Sequence, residues 1–346
     1  MKKIKVAING LGRIGRAFLK LAITHPEIEV VAVNDLGEIN NFAYLLRYDS
    51  AYGRSGLRIS TNKSSDQNQE LIINDRPVKF FSEKDPSKLP WGSLGIDVVV
   101  ESTGVFETYE KAKFHLDAGA RKVVVSAPIK GTPTPGITGG MVLMGINDEL
   151  LERCQITSNA SCTTNAAGPV IKILHETIGI EKALLNTVHA YTATQKLVDS
   201  PDTKDFRRGR AGAQNIVPST TGAAVAVTEV ITDLKGKFDG IALRVPVVTG
   251  SVADITFIAK RPTTAEEVNS ILKTAAADPK WQTILEYSEE PLVSTDIISN
   301  PHASIVDSEF TTVVGGNLVK VLAWYDNEMG YTNTLIQHVI KLGSVA

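Results

Sequence analysis

Short apolar runs alternate with helical segments along the first half of the chain. The strand-like runs, rich in Val and Ile, are residues 4–9, 28–34, 96–101 and 122–126. The segments with helical character between them are residues 16–23 and 109–118. Strands that alternate with helices predict a parallel sheet with crossover helices, which is a doubly wound α/β arrangement.

The pattern changes after about residue 160. Strand-like runs recur at residues 182–188, 241–246, 251–260 and 319–325. Helical segments are predicted at residues 170–174, 222–232, 264–276 and 332–341. Helical segments join these strands, and a mixed or antiparallel sheet fits this half.

A glycine-rich turn follows the first strand at once. Gly10 permits a tight turn, Gly12 lets the backbone approach a pyrophosphate, and Gly15 allows close packing of helix on strand. Asp35 ends the second strand, 20 residues after Gly15, where a carboxylate can accept hydrogen bonds from the ribose hydroxyls of adenosine. Glycine turns alone are common, but strand, turn, helix, strand and acid in this order predict a Rossmann-type NAD site.

A second group of residues predicts nucleophilic catalysis. Cys162 is flanked by Ser161 and Thr163, which are good N-cap residues before the helical run at 170–174. His189 follows the strand-like run at 182–188. A helix N-terminus and an imidazolium both lower the pKa of a thiol, so we expect an activated thiolate. A buried structural cysteine is the alternative, and the neighbouring hydroxyls favour catalysis over it.

Composition narrows the classes of protein. The chain has 346 residues, 43% hydrophobic and 21% charged, with a net charge of −2, so neither nucleic acid nor an acidic membrane is an expected partner. Two cysteines predict a reducing compartment rather than a disulfide framework. No segment has the length of a membrane span, and the histidines lack metal-ligand spacing. We therefore expect a cytoplasmic enzyme without a metal.

Five motifs spread over the chain closely resemble the phosphorylating glyceraldehyde-3-phosphate dehydrogenases. They are Asn9-Gly-Leu-Gly-Arg-Ile-Gly-Arg16, Ser158-Asn-Ala-Ser-Cys-Thr-Thr-Asn165, His189-Ala-Tyr-Thr-Ala-Thr-Gln195, Pro218-Ser-Thr-Thr-Gly-Ala-Ala224 and Trp324-Tyr-Asp-Asn-Glu-Met-Gly-Tyr331. The motifs are long and widely spaced, and the resemblance runs from the first strand to the last helix. It implies an NAD-binding domain at 1–161, a catalytic domain at 162–325, and a C-terminal helix at 326–346 that returns to the first domain.

The resemblance also implies roles for individual residues. Cys162 would attack the aldehyde of D-glyceraldehyde 3-phosphate, and His189 would act as the general base. The substrate phosphate would bind Thr192 and Arg244, and the attacking inorganic phosphate would bind Ser161, Thr163, Thr221 and Gly222. Further cofactor contacts would come from Arg13, Ile14, Thr103, Ser126, Asn327 and Tyr331. From its place in a strand alone, Arg244 could equally be a structural ion-pair partner.

The same resemblance implies the quaternary structure, and the chain departs from the family at a few positions. The basic loop at 206–210 would lie beside a neighbouring subunit's cofactor pocket in a homotetramer. Many relatives have a second cysteine four residues after the nucleophile, where this chain has Ala166, and residues 247–251 depart from a frequent pattern of the family.

An erythrose-4-phosphate dehydrogenase is the alternative enzyme. A catalytically silent binding protein on the same scaffold is the alternative of another class.

Overall fold

The computed structural model describes residues 3–65, 68–203 and 205–345. It divides into two compact units. One contains the described residues up to Ala160 together with those from Thr332 onward, and the other is Ser161–Tyr331.

The first unit is built on a nine-stranded sheet in the order β10-β11-β9-β8-β1-β2-β7-β6-β5. Its strands are β1 Ile4–Asn9, β2 Ile28–Asn34, β5 Ile59–Ser65, β6 Asn68–Ile73, β7 Arg76–Phe81, β8 Val98–Glu101, β9 Lys122–Val125, β10 Gly139–Met141 and β11 Ile156–Ser158; a separate pair is β3 Tyr48–Asp49 and β4 Gly53–Arg54. Its helices are α1 Arg13–Ala22, α2 Ile39–Arg47, α3 Trp91–Leu94 and α4 Tyr109–Asp117. The pairs from β10 through β7 are parallel, whereas β7, β6 and β5 form an antiparallel edge.

The predicted doubly wound sheet is confirmed, and the strands at its centre are the most apolar ones. All four residues of Val98–Glu101 are buried, as are all but one of Ile4–Asn9. A strand covered by helices on both faces has no polar face, so its sequence is a continuous apolar run. The first helix begins at Arg13, earlier than its apolar periodicity indicated, because Gly12 already serves as its N-cap.

The second unit contains a seven-stranded mixed sheet in the order β13-β14-β12-β15-β18-β17-β16. Its strands are β12 Ile180–Ala190, β13 Val217–Thr220, β14 Phe238–Val245, β15 Ser251–Ala259, β16 Leu285–Ser288, β17 Ser304–Val314 and β18 Leu318–Tyr325. Its helices are α5 Cys162–Thr177, α6 Ala223–Val230 and α7 Ala265–Ala276, and α8 Met329–Ser344 follows β18. Helix α5 packs on β12, β15, β17 and β18.

Parallel and antiparallel pairs bring several strand ends to one edge of this second sheet. Strands β12 and β14 are parallel, and β15 is antiparallel to both β12 and β18. The carboxyl ends of β12, β14 and β18 therefore meet beside the start of β15. None of the helices within the described residues is both long and apolar enough to cross a membrane.

Candidate active site

The N-terminus of α5 presents the predicted nucleophile. Ser161 is the N-cap, and its hydroxyl accepts a hydrogen bond from the Thr164 amide at 3.1 Å, so Cys162 is the first helical residue. Before it, Ala160 has a φ of 55°, a left-handed conformation that is uncommon for a residue with a side chain. Such a conformation is locally strained, and strained residues are often found at functional sites.

Cys162 and His189 meet in the structure, as the sequence predicts. The distance from Cys162 Sγ to His189 Nε2 is 3.4 Å, within hydrogen-bond range for sulfur. His189 lies near the end of β12 and is buried, with 4% of its surface exposed. The helix N-terminus thus places the thiol over the sheet edge at which the imidazole lies.

Arg244 joins this pair through strand register. His189 and Arg244 are register partners on the parallel strands β12 and β14. Arg244 Nη1 lies 2.6 Å from His189 Nδ1 and 3.3 Å from the carbonyl oxygen of Ala190. The structural ion-pair alternative for Arg244 is not what this geometry displays, because its close partners here are a ring nitrogen and a backbone carbonyl.

Burial affects the pKa of both members of this pair. Burial raises the pKa of the Cys162 thiol, and the Arg244 charge and hydrogen bonds from Thr163 offset this only in part. Burial, together with the Arg244 charge, lowers the pKa of His189 to about 3. For both groups burial is the largest contribution, and it opposes the charged form.

Tyr325 is a residue of this site that the motif analysis did not single out. Its buried hydroxyl lies 2.8 Å from the Thr163 hydroxyl and 2.7 Å from that of Thr187. Its ring meets the His189 ring edge to face, with centroids 5.9 Å apart. Tyr325 thereby links the first turn of α5 to β12 and packs against the imidazole ring. Its position at the carboxyl end of the last strand was the available signal.

The residues predicted to bind inorganic phosphate fall at two helix N-termini. The Ser161 hydroxyl lies 2.7 Å from the Thr164 hydroxyl, which in turn is 3.5 Å from the Ala223 carbonyl at the start of α6. Thr221 and Gly222 precede that helix, and Gly222 is its N-cap. The ends of α5 and α6 are therefore close. Thr163 differs from Ser161, because its hydroxyl is already engaged by Tyr325.

Thr192 and the loop at 206–210 have neighbours that the sequence did not indicate. Thr192 follows β12, and its hydroxyl lies 3.0 Å from that of Thr194. Arg208, in the loop assigned from sequence to a subunit contact, is close enough for its charge to lower the pKa of Arg244. Sequence reasoning missed this second cation near the anion site, because only the fold brings the loop to β14.

Asn327 is anchored by the segment that departs from the frequent family pattern. Its Oδ1 accepts hydrogen bonds from the Gly250 amide at 3.1 Å and the Ser251 hydroxyl at 3.0 Å, and the Thr249 hydroxyl lies 3.3 Å away. Because the Gly250 amide can only donate, this atom of Asn327 is the amide oxygen. The nitrogen of the Asn327 side-chain amide therefore points away from residues 249–251. Tyr331 lies nearby in sequence on α8 and is buried.

Two of the three glycines in the turn of the first unit are required by the surrounding backbone. Gly10 has a φ of 99°, and a Cβ there would lie 2.8 Å from the backbone of Ser102. A Cβ on Gly15 would lie 1.9 Å from the Gly10 carbonyl oxygen, so helix and turn are in direct contact. A Cβ on Gly12 would meet nothing within 4 Å. The protein's own packing does not require glycine at Gly12, which fits a pyrophosphate approaching the backbone there.

Asp35 and Arg13 are held beside this turn. The Leu11 amide donates to Asp35 Oδ2 at 2.7 Å, and the Gly37 amide donates to Oδ1 at 3.1 Å. Arg13, on the first turn of α1 next to Ile14, forms an ion pair with Asp49 at 2.8 Å. The carboxylate of Asp35, after β2, and the guanidinium of Arg13, on α1, are thus both held close to the glycine turn.

A buried polar network underlies the turn and includes Thr103. Glu101 accepts hydrogen bonds from Asn9 Nδ2 at 2.6 Å, from the Thr103 amide at 2.8 Å and from the Thr103 hydroxyl. His115 Nε2 lies 2.9 Å from Glu101, while the Trp91 indole N–H donates to His115 Nδ1 at 3.1 Å. This pattern of donors places the His115 proton on Nε2.

Ser126 is placed close to this network by strand pairing. Its amide donates to the Glu101 carbonyl at 2.9 Å, so it follows β9 just beside β8. Thr103 and Ser126 therefore both lie beyond the carboxyl ends of parallel strands, the edge at which such sheets bind ligands.

Family models derived from known proteins match segments of both units. A family model described as the NAD-binding domain of glyceraldehyde 3-phosphate dehydrogenase matches residues 4–109, and one described as its C-terminal domain matches residues 161–327. The chain belongs to the glyceraldehyde-3-phosphate dehydrogenase family. Cys162, His189 and Arg244 all lie within the segment that the C-terminal family model matches.

Curated members of the family match over nearly the whole chain. Glyceraldehyde-3-phosphate dehydrogenase of Geobacillus stearothermophilus is 46% identical over 343 residues, covering 99% of this chain and 98% of the relative. The Mycolicibacterium smegmatis enzyme of the same name is 46% identical, with 98% of each chain covered. That of Colletotrichum lindemuthianum is 44% identical, with 99% of each covered. The family resemblance stated from the motifs is thus confirmed.

Proposed function

We propose that this chain catalyses the NAD-dependent oxidation and phosphorylation of D-glyceraldehyde 3-phosphate to 1,3-bisphosphoglycerate, a step of glycolysis and gluconeogenesis. Membership of the family supports the reaction. The observation that carries the chemistry is the 3.4 Å contact between Cys162 Sγ, at the start of α5, and His189 Nε2. Nucleophile and base within hydrogen-bond reach are what covalent catalysis requires.

The reaction begins with a proton transfer and a bond between sulfur and carbon. The Cys162 proton moves to His189, and the sulfur attacks the aldehyde carbon. The carbonyl oxygen becomes an alkoxide, which the Cys162 amide and the His189 ring stabilise and which takes a proton from His189. The product of this step is a thiohemiacetal on Cys162.

Oxidation and phosphate attack complete the cycle. When bound, NAD supplies the acceptor for the hydride. His189 takes the hydroxyl proton of the thiohemiacetal as the carbon is oxidised, which leaves a thioester on Cys162. Inorganic phosphate then attacks the thioester carbon, the carbon–sulfur bond breaks, and the acyl phosphate leaves. Sulfur suits this role because a thioester retains the oxidation energy that hydrolysis would dissipate.

Two anions need positions in this scheme. We assign the substrate phosphate to Arg244 and Thr192, and the attacking phosphate to Ser161, Thr163, Thr221 and Gly222. The guanidinium of Arg244 provides charge-assisted donors, and the ends of α5 and α6 provide hydroxyls and backbone amides.

The first unit has the features that NAD requires. The open position at Gly12 fits the pyrophosphate, and Asp35 fits the adenosine ribose. We assign the remaining predicted residues to the cofactor as well: Gly10, Arg13, Ile14, Gly15, Thr103, Ser126, Asn327 and Tyr331.

We further propose that the enzyme is a homotetramer of the cytoplasm. An uncovered face of the second sheet supports self-association. Leu184, Ile241 and Leu318 lie on that face according to strand register, and they are 66%, 52% and 42% exposed. Large apolar side chains grouped on one sheet face are typical of a protein interface.

The test is NADH formation with different aldehydes, with inorganic phosphate present or omitted. We expect D-glyceraldehyde 3-phosphate with NAD and phosphate to give the highest kcat/KM, and Cys162→Ser to lose nearly all activity while NAD binding by calorimetry is kept. A higher kcat/KM with erythrose 4-phosphate would favour the alternative dehydrogenase. NAD binding without oxidation of either aldehyde would favour a silent binding protein.

A further inference from the structure

A buried carboxylate lies beneath the glycine turn, at the end of β8. Glu101 is 2% exposed, and both of its oxygens accept hydrogen bonds. Oε2 lies 2.6 Å from Asn9 Nδ2 and 2.9 Å from His115 Nε2. Oε1 accepts from the Thr103 amide at 2.8 Å and from the Thr103 hydroxyl. Since a carboxylate has about four acceptor sites, these donors occupy all of them.

The direction of the bonds that reach Glu101 from β1 is determined by one backbone amide. The Glu83 amide can only donate, and it donates to Asn34 at 2.8 Å, so that atom of Asn34 is the side-chain oxygen. The nitrogen of the same side chain then donates to the Asn9 oxygen at 2.7 Å, which leaves the Asn9 nitrogen to donate to Glu101. A series of bonds thus runs in one direction from the loop after β7, through the ends of β2 and β1, to Glu101.

A second series of bonds reaches the same carboxylate from α3 and α4. Trp91 donates its indole N–H to His115 Nδ1 at 3.1 Å, so the ring hydrogen of His115 lies on Nε2, which faces Glu101. Because donors converge on both oxygens, this position requires a group that accepts on both sides and donates on neither. Glutamate meets this requirement. Glutamine of the same shape does not, since half of its amide is a donor.

The converging bonds join the loops that follow four neighbouring strands of the first sheet. These strands lie in the order β8-β1-β2-β7 and are parallel, so their carboxyl ends share one edge. The loop after β8 also binds the glycine turn, because the Ser102 hydroxyl donates to the Gly10 carbonyl at 2.8 Å. That edge is where such a sheet binds its ligand, and it carries Gly12, Asp35 and Thr103, which we assigned to NAD.

We propose that Glu101 is a positioning residue that holds these loops in the geometry for NAD before the cofactor arrives. Because the protein already fills its acceptor sites, Glu101 acts through Thr103 and Asn9 rather than on NAD itself. Loops that are fixed beforehand lose less entropy on binding, so the effect belongs to cofactor affinity and not to the chemistry at Cys162. This inference rests on the proposed function for the identity of the ligand.

Asp97 offers a matched control at the opposite end of the same strand. It immediately precedes β8, is 5% exposed, and accepts the Lys5 amide at 2.9 Å. Its Oδ1 lies 3.3 Å from Arg121 Nη1. Glu101→Gln and Asp97→Asn are the same chemical change at the carboxyl edge and the amino edge of the sheet. Only the first of them alters the edge that carries the cofactor loops.

Calorimetry of NAD binding is the direct test. We expect Glu101→Gln to raise the Kd for NAD by about fivefold or more, and Asp97→Asn to raise it by less than about twofold. The KM for NAD should rise with the Kd, whereas kcat at saturating NAD should stay within about twofold of the intact enzyme. The proposal is overturned if Glu101→Gln has a smaller effect on the Kd, if both variants weaken NAD binding alike, or if kcat falls as much as the affinity.

A reciprocal exchange tests the direction of the bonds. Adding Asn9→Asp to Glu101→Gln moves the carboxylate to the other side of the same hydrogen bond, so the new amide can donate to it. His115 Nε2, which lies 3.5 Å from the Asn9 nitrogen, then has an acceptor there as well. The double variant should bind NAD about threefold more tightly, or better, than Glu101→Gln alone. Equal affinity of the double and the single variant would overturn the proposal.

Hydrogen exchange gives a measurement that does not depend on the folding of a variant. In the intact enzyme without NAD, the Thr103 amide should exchange about a hundredfold more slowly than an unstructured amide, because it donates to a buried carboxylate. Exchange at the unprotected rate would overturn the proposal.

The proposed function fails separately from this inference. An intact enzyme that oxidises no phosphorylated aldehyde would refute the proposed function. If that enzyme still binds NAD, with the expected contrast between Glu101→Gln and Asp97→Asn, the positioning role of Glu101 would be supported.

Discussion

At the scale of single residues, Asp35 shows how one carboxylate can hold a turn in place and still bind a ligand. Both of its oxygens accept backbone amide bonds, from Leu11 and Gly37. A carboxylate has about four acceptor sites, so capacity remains for ribose hydroxyls. The sequence position of Asp35 indicated the ligand role, but its bond to the glycine turn depends on the packing of β1 beside β2 and was not predicted.

Cofactor choice follows from the charge of Asp35. A 2′-phosphate would lie against the carboxylate, and like charges brought together can cost several kcal/mol. We expect kcat/KM to favour NAD over NADP by about tenfold or more, and Asp35→Gly to narrow the preference chiefly by weakening NAD. Asp35→Asn is the matched control, since it removes the charge but can keep an acceptor for Leu11. Equal kcat/KM for both cofactors in the intact enzyme would refute this assignment.

Tyr325 should contribute to stability through its hydroxyl. Tyr325→Phe keeps the ring against His189 but leaves the buried hydroxyls of Thr163 and Thr187 without this partner. We expect the free energy of unfolding in urea to fall by about 1–3 kcal/mol. Adding Thr187→Val should cost less in the Tyr325→Phe background than in the intact protein, because the two changes share a bond. If the two substitutions lowered the free energy of unfolding additively, the contact between Tyr325 and Thr187 would be contradicted.

At the scale of elements, the apolar periodicity predicted buried strands better than exposed ones. Val98–Glu101 was anticipated within two residues because all of its residues are buried, which makes the strand a continuous apolar run. Ile28–Asn34, five of whose seven residues are buried, was anticipated as well. No element was predicted for Ile39–Arg47 or for Arg76–Phe81 at the antiparallel edge, where polar residues interrupt the pattern. Which strands pair with one another also cannot be predicted from the local sequence. The register of His189 with Arg244 depends on which strand lies beside β12.

Helix α8 carries a buried histidine that should make the fold sensitive to acid. His338 Nδ1 lies 3.1 Å from Asn159 Oδ1, and Nε2 lies 2.8 Å from the Thr157 hydroxyl. Burial lowers its pKa to about 3, against about 6.5 when unfolded. Its contribution to stability is therefore fully present above the unfolded pKa, and it is lost as the pH falls toward the folded value.

The size of this effect is set by proton linkage. Between about pH 6.5 and pH 5, one such histidine lowers the free energy of unfolding by up to about 1.4 kcal/mol per pH unit. His338→Gln keeps a donor and an acceptor without titrating, so urea denaturation across this range should show a shallower loss for the variant. Equal slopes for both proteins would mean that His338 is not held neutral.

At the scale of the whole molecule, the uncovered face of the second sheet predicts assembly. The opposite face packs against α5, whereas Leu184, Ile241 and Leu318 remain exposed. An antiparallel sheet tolerates one solvated face, but that face is then normally polar. The sequence showed the apolar residues, but not that they share a face, because that requires the strand order.

Substitution on this face should weaken the tetramer. We expect light scattering to give a tetramer for the intact chain, and a smaller species for Leu184→Glu at the same micromolar concentration, because a carboxylate would be buried without a partner. Val293→Glu is the control, since Val293 is similarly exposed, at 58%, but lies outside the sheet. A fully active monomer in the intact protein would exclude the assembly.

The hydrogen bond from Trp91 to His115 has a consequence for spectroscopy. Of the three tryptophans, Trp281 and Trp324 belong to the unit Ser161–Tyr331, which leaves Trp91 alone in the unit with the glycine turn. Its indole is buried and bonded to a ring nitrogen, so its emission shifts to longer wavelength when that unit opens to water. Replacing the other two tryptophans with phenylalanine would leave an intrinsic fluorophore that reports the melting of one unit while the other is still folded.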